Sequence, residues 1–251
     1  MNSPLQDRVA LITGASRGLG AAIAIELAHK GAAVAVNYHA SGDMAATVVQ
    51  KIERAGGRAR RYGADVRDEN AIASMVKSIE AELGPIDILV PNATGPQPFI
   101  EVDKLTWRDC LDQLDFFVRS PLLLTQAVLA GMKQRRRGRI IQIGSEVFER
   151  GHPKFSAYVA AKGAQLGLTR SWANELAPWN ITVNLVAPGW VPTERHVDVP
   201  KSELDQYAAG VPLRRMGTPA EIAGAVAYLA SDAAAFITGQ KLSVNGGLTL
   251  E

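Results

Sequence analysis

A tyrosine and a lysine stand four residues apart in Tyr158-Val159-Ala160-Ala161-Lys162, within a stretch of helical period, so both side chains project from one helix face. A phenol can hand a proton to a developing alkoxide, provided its ordinary pKa of about 10 is brought down for work near neutrality. A unit charge ~4 Å away is worth on the order of 4 kcal/mol at an effective dielectric near 20, or about three pKa units before screening. Lys162 is expected to supply that charge. Tyrosine and lysine also meet at this spacing on helices that do no chemistry. Ser145 gives the pair a context, because it follows a β-branched run ending at Gly144 and would sit at the carboxyl edge of a parallel sheet. Its hydroxyl can hydrogen-bond a substrate oxygen, or it can merely satisfy a turn. The expected catalytic set is Ser145, Tyr158 and Lys162, working on a carbonyl or alcohol oxygen.

Near the N-terminus an apolar run leads into Thr13-Gly14-Ala15-Ser16-Arg17-Gly18-Leu19-Gly20 and then into a helix-forming stretch from Ala21 to Lys30. Glycines in a strand–turn–helix context allow a tight turn and close backbone approach, and the helix N-terminus offers free N–H groups to a pyrophosphate. Gly14, Ser16, Arg17, Gly18, Leu19 and Gly20 are therefore expected to bind a dinucleotide. NAD-selective sites place an acidic residue about twenty positions on, at the end of the second strand. Here that place holds Asn37-Tyr38-His39-Ala40-Ser41, with no carboxylate to repel a 2′-phosphate. With Arg17, His39 and Ser41 beside it, NADP(H) is favoured over NAD(H). The alternative for Arg17 is a solvated loop cation and for His39 a surface loop residue, and a bound structure or an affinity ratio separates the readings.

Short β-branched runs alternate with longer segments of helical period, the pattern of an α/β fold. The reading is a single Rossmann-type, doubly wound, seven-stranded parallel sheet with helices on both faces. The expected strands are Arg8 to Thr13, Ala32 to Tyr38, Ala59 to Asp65, Asp87 to Pro91, Gly138 to Gly144, Thr182 to Ala187 and Lys241 to Val244. Gly31 closes the first helix, and Gly84-Pro85 stops the helix before the fourth strand. No linker, composition break or repeat divides the chain, so residues 1–251 are expected to form one domain. The long, Pro-rich segment 189–216 carries Trp190, His196 and Tyr207 and reads as a lid over a pocket.

The 251 residues carry a net charge of +2, too little for nucleic-acid binding as a first reading. Arg135-Arg136-Arg137 with Arg139 is expected to be a solvated turn, or else an interaction patch. The single cysteine, Cys110, rules out an internal disulfide and a multi-cysteine zinc site, and the scattered histidines give no metal-ligand spacing. With no signal core and no run of eighteen apolar residues, no membrane segment is expected and the reading is cytoplasmic.

Taken together, the glycine turn, Ser145 thirteen residues before Tyr158, and the Tyr-x-x-x-Lys pair resemble the short-chain dehydrogenase/reductase family. The resemblance covers essentially the whole chain. Gly138-Arg139-Ile140-Ile141 and the stretch Pro212 to Ile222 are similar to its 3-oxoacyl-acyl-carrier-protein reductase branch. It implies that Asp65-Val66 contact the adenine, that Asn92-Ala93 follow the fourth strand at the cofactor, and that Asn184, Pro188, Gly189, Val191 and Thr193 frame the nicotinamide. It further implies that Ser145 orients a substrate carbonyl, that Tyr158 is acid or base, and that Lys162 also binds the nicotinamide ribose. A homotetramer built on the long helices around 107–132 and 156–176 and on the C-terminal strands is implied as well. Trp107 and its apolar neighbours read as core or interface packing.

The pattern is broken in places. Where the family commonly has Asn-Asn-Ala-Gly, this chain has Pro91-Asn92-Ala93-Thr94; Pro91 lacks a donor, and Thr94 is poorly suited to glycine-only conformations, for which Gly95 offers partial compensation. The family's water-holding asparagine, about twenty-eight residues before the serine, is Phe117 here. Phe117 reads as helix-core or interface packing, or as a wall of an unusual pocket. These departures motivate a rival reading, a nucleotide-binding sensor or scaffold with impaired catalysis. Pocket walls are expected from 96–99, 147–155 and 190–199, whose aromatic content suits a bulky apolar or aromatic carbonyl compound. Glu149, Arg150, His152 and Lys154 stand ready for polar substituents, though His152 also reads as a solvated loop residue.

Overall fold

The computed structural model describes residues 3–250. Seven parallel strands form one sheet in the order β3-β2-β1-β4-β5-β6-β7. They are β1 (Val9–Ile12), β2 (Ala33–Tyr38), β3 (Arg58–Gly63), β4 (Ile88–Val90), β5 (Gly138–Ile143), β6 (Ile181–Pro188) and β7 (Lys241–Val244). Each expected strand is present, the seventh with the expected bounds and the others with ends displaced by at most two residues. Every residue of β1, β4, β5 and β6 is buried, as parallel strands covered on both faces require. The edge strand β3 reads Arg-Ala-Arg-Arg-Tyr-Gly with its arginines exposed, a charge pattern that discourages pairing with a further strand.

Helices cover both faces. Against one lie α1 (Gly18–His29), α2 (Gly42–Arg54) and α9 (Pro219–Ala230), where Ile23, Leu27, Val48, Ile222 and Val226 share a cluster with Ile12, Val34 and Ile141. Against the other lie α3 (Glu69–Glu82), α5 (Ser120–Arg135) and α7 (Ser156–Leu176), whose Ile72, Ile79, Leu124, Val128 and Leu176 pack on Leu11, Leu89 and Ile140. The short α4 (Trp107–Leu114) runs through a π-helical turn, Asp115–Arg119, into α5, and a single turn, α6 (Val147–Arg150), lies between β5 and α7. By length and composition the whole run Trp107–Arg135 is long and apolar enough to cross a membrane. In the fold its Leu124, Val128 and Met132 serve the core instead.

Two expectations about surface residues change. Trp107 is 70% exposed in the single chain, so it is not core. The arginine run is not simply solvated. Arg135 and Arg137 pair at 3.6 and 3.0 Å with the buried carboxylate of Asp87, and Arg139, itself buried, lies 3.4 Å from Asp232. The physical reason is Asp87, which opens the approach to β4 and would otherwise be an uncompensated charge in the interior.

Strand order reverses between β1 and β4, and the crevice beyond their carboxyl ends is where ligands of open α/β sheets sit. Segment 189–216 rises from β6 there, containing a 3₁₀ turn at Glu194–His196 and α8 (Lys201–Gly210). It is pinned down by Tyr207, whose hydroxyl donates to Glu146 Oε1 at 2.6 Å and accepts the Trp190 N–H at 2.8 Å. Burial, then the bond to Glu146, pushes the Tyr207 phenol well above its ordinary range.

Candidate active site

The glycine turn is held by residues of three strands. Thr13 Oγ1, at the end of β1, accepts the backbone N–H groups of Asn92 and Ala93 at 2.9 and 3.0 Å, which closes the gap between β1 and β4. Asn92 returns its side-chain amide to the Thr13 carbonyl at 2.8 Å. Asn37, on β2, is buried; its Oδ1 accepts the Gly14 N–H at 3.3 Å and its Nδ2 donates to the Ala64 carbonyl at 3.1 Å. Its side chain is therefore committed to bracing the turn from beneath. Gly14 has φ of +61°, and a Cβ there would lie 2.8 Å from the Ala93 Cα, so the family of conformations open to it favours glycine.

The turn delivers α1 with an extended residue, Arg17, before its first turn, no side-chain cap and no acidic residue in the first turn. Uncapped N–H groups, glycines that leave no Cβ in the way and the positive helix end together fit a pyrophosphate. Arg17 and His39 are exposed, Ser16, Leu19, Tyr38 and Ser41 half-buried. Asp65 is spoken for by Arg67, at 3.0 and 2.7 Å, and that side-chain bond holds its carboxyl down at about 2. Val66 next to it is buried. Across the crevice the side chains of Thr193 and Glu194 approach Gly18, and the Arg195 guanidinium reaches the Gly95 carbonyl at 3.2 Å. Pro188 ends β6, Gly189 N donates to the Val244 carbonyl at 3.0 Å, and Val191 is buried. Asn184 does not frame this crevice. It lies within β6, where its amide donates to Ile237 and its oxygen accepts from Gln240 N, binding β6 to the approach to β7.

Ser145, Tyr158 and Lys162 come together at the carboxyl end of β5. Tyr158 and Lys162 lie one helical turn apart near the start of α7, and the Ser145 hydroxyl hydrogen-bonds Tyr158. The electrostatics differ from the sequence expectation. Burial raises the Tyr158 phenol to about 12, with the Ser145 bond and the Arg195 charge pulling the other way. Lys162 does not bring it down, because the ammonium is turned elsewhere: Nζ donates to the Ile143 carbonyl at 2.7 Å and to Gln165 Oε1 at 3.1 Å. Lys162 is only 4% exposed, and burial holds its own pKa well below the usual lysine value.

Phe117 is part of this site and not mere helix packing. Its ring face lies 3.8 Å from Lys162 Nζ, and it meets the Tyr158 ring edge-on at 5.3 Å. Phe117 lies buried within the π-helical turn, and such turns are frequent at functional sites. Outward from Tyr158 an aromatic file continues through Phe155 at 4.6 Å to Phe99 at a further 4.5 Å, with Phe99 61% exposed. The polar residues expected to meet substrate are largely engaged: Glu149 with Lys241 at 2.5 Å, Arg150 with Glu146 at 3.0 Å and Lys154 with Glu101 at 3.0 Å. His152 is exposed and lies 5.4 Å from the Phe99 ring.

The departures after β4 are absorbed locally. Thr94 is not among the residues of positive φ, so no glycine conformation is asked of it. Gly95 is needed for space, because the Phe116 ring occupies the place of a Cβ.

A nucleotide-type crevice at a topological switch point, with a serine, a tyrosine and a lysine beside it, defines an oxidoreductase of the Rossmann class. The chain belongs to the short-chain dehydrogenase/reductase family. A family model described as Enoyl-(Acyl carrier protein) reductase matches residues 14–249. The 3-oxoacyl-(acyl-carrier-protein) reductase FabG of Staphylococcus epidermidis is 38% identical over 244 residues, 96% of this chain and 99% of that protein. The corresponding enzyme of Vibrio cholerae is 39% identical over 246 residues, 97% and 98% of the two chains. Among solved structures, a Serratia marcescens short-chain dehydrogenase/reductase superposes with a TM-score of 0.90 at 39% identity, covering 98% of this chain and 100% of that one. A blue fluorescent protein from a metagenomic library, in complex with NADPH, superposes with a TM-score of 0.90 at 36% identity over the same shares.

Proposed function

We propose that this chain is an NADP(H)-dependent reductase of a carbonyl group, with residues 1–251 acting as one catalytic domain and 189–216 as its lid. The observation that carries the reading is the meeting of Ser145, Tyr158 and Lys162 beside the braced glycine turn. Gly14, Ser16, Arg17, Gly18, Leu19 and Gly20 would hold the pyrophosphate and adenosine side, Val66 the adenine, and Pro188, Gly189, Val191 and Thr193 the nicotinamide side. When bound, the reduced nicotinamide supplies a hydride to the carbonyl carbon. Ser145 orients the carbonyl oxygen. Tyr158 donates the proton, and a phenol near 12 is protonated throughout the physiological range yet still more acidic than an alkoxide's conjugate alcohol, which suits reduction over oxidation. The NADPH complex of the metagenomic relative supports the cofactor, and the reductase names of the curated relatives support the direction.

Cofactor choice rests on the end of β2, where Tyr38, His39 and Ser41 stand without a carboxylate, and on the exposed Arg17. Arg17→Ala is expected to weaken NADPH binding about tenfold or more while changing NADH binding little, since a lost charge-assisted bond to phosphate costs about 1.5–3 kcal/mol. Fluorescence titration with both nucleotides checks it; equal loss for both would mean that Arg17 serves the turn and not the 2′-phosphate.

We also propose a cytoplasmic homotetramer. Trp107 and Leu122 on the α4–α5 run, and Phe148 beside α7, are exposed in the single chain and would be covered by partner subunits. Light scattering at micromolar concentration is expected to give four times the 26.8 kDa chain mass. A monomer would refute it.

A further inference from the structure

We infer that Gln165 is a positioning residue for Lys162, its carboxamide oxygen joining the Ile143 carbonyl and the Phe117 ring in a cradle that holds the ammonium without a counter-charge. The inference rests on the reading of Lys162 as part of the active site. A buried ammonium ordinarily needs a carboxylate, and among the described residues none forms an ion pair with Lys162. The acids on neighbouring elements are turned to other partners: Asp115 of the π turn to Arg119, and Glu146, beside Ser145, to Arg150 and Tyr207. The other groups around the site are Tyr158 on α7, Ser145 at the end of β5, and Arg195 from the lid segment, which adds positive charge.

Two N–H bonds of Lys162 end on neutral oxygens, and the Phe117 face, 3.8 Å away, stabilises the charge as an aromatic quadrupole does. Of these supports only one is a side-chain oxygen. Gln165 is 1% exposed and sits one turn after Lys162 on the same face of α7. Its backbone is steadied from behind, where the Thr169 hydroxyl donates to the Gln165 carbonyl at 3.0 Å and accepts from Gln142 Nε2 at 3.1 Å. The arrangement holds the lysine nitrogen beside the catalytic residues on neutral partners alone, with no carboxylate bound to it.

The test uses Gln165→Leu and Gln165→Glu in the full-length chain. Loss of the acceptor destabilises the charged lysine, so its pKa falls; a carboxylate there raises it. Activity that needs charged Lys162 is lost as pH rises through that pKa. The alkaline limb of kcat, measured with NADPH and acetoacetyl-coenzyme A or acetophenone, is therefore expected to move down by about one pH unit in the leucine variant and up in the glutamate variant. A readout that needs no turnover is the pH titration of the ¹³Cε resonance of Lys162 in selectively labelled protein, assigned by its loss in Lys162→Met. It is expected to shift in the same two directions. Should the leucine variant not fold, the glutamate variant alone decides the sign. Unmoved limb and unmoved resonance would overturn the positioning role and leave Gln165 as packing. Shifted resonances in a protein that reduces no carbonyl probe would uphold the cradle and overturn the reductase reading instead.

Discussion

Tyr158→Phe is expected to lower carbonyl-dependent oxidation of NADPH by about a thousandfold, the loss of a general acid, while leaving NADPH affinity nearly unchanged. The substitution removes the hydroxyl that bonds Ser145 and that, in the proposed mechanism, meets the reacting oxygen. It leaves the ring, and the ring is what the surroundings grip, through Phe155 at 4.6 Å and Phe117 at 5.3 Å. Thermal stability should therefore be close to that of the wild type. The acid form of Tyr158, pushed up to about 12, is present at all ordinary pH values and is lost only as pH rises through that region. Below it, the pH dependence of reduction is expected to follow Lys162. Turnover retained in the phenylalanine variant would mean that another group supplies the proton.

Gly20→Ala is expected to cost on the order of a hundredfold in cofactor affinity, equivalent to about 2.7 kcal/mol, together with about 1–3 kcal/mol of stability. A Cβ at this position would overlap the Gly14 carbonyl oxygen and lie 2.6 Å from Asn92 Nδ2 and 2.9 Å from the Ala15 Cα. Two of those three atoms belong to the backbone of the turn, so the turn itself must move. The Asn92 amide donates to the Thr13 and Gly14 carbonyls and so ties the end of β1 to that of β4, which is why affinity and stability fall together. Gly224→Ala is the matched control, because nothing lies within 4 Å of a Cβ there and the residue is an exposed position of α9. Urea unfolding and nucleotide titration of the two variants check the contrast. Equal behaviour would mean that the turn yields without consequence.

The architecture was legible because its signals are local. Alternating β-branched and helical periods, glycines at Gly14 and Gly31 and the helix stop at Gly84-Pro85 each report on a few neighbouring residues, and a parallel sheet assembled from such units has few topologies open to it. Ser145, Tyr158 and Lys162 were legible through spacing. What those residues do to one another was not. Lys162 bonds the Ile143 carbonyl and lies against the ring of Phe117, which stands in a π-helical turn some forty residues earlier, and no periodicity argument locates one extra residue in a helix. Gln165 escaped notice because a glutamine on a helix reads as surface; only its position three residues after Lys162, on the buried face, marked it. Thr13 leads into the glycine turn, and its hydroxyl joins the ends of two strands, a contact that no local pattern reports. The partners of Asn184, Arg135 and Arg137, namely Ile237, Gln240 and Asp87, are distant in sequence, so spacing does not report them.

The central claim, that this chain moves hydride from NADPH to a carbonyl carbon, is tested most directly by incubating the purified protein with NADPH dideuterated at C4 and a panel of β-ketoacyl thioesters, aromatic ketones and aldehydes. The prediction is that at least one carbonyl compound is converted to an alcohol carrying a single deuterium on the carbinol carbon, faster with NADPH than with NADH. Tight NADPH binding with no deuterated product from any compound in the panel would contradict it and favour a nucleotide-binding sensor.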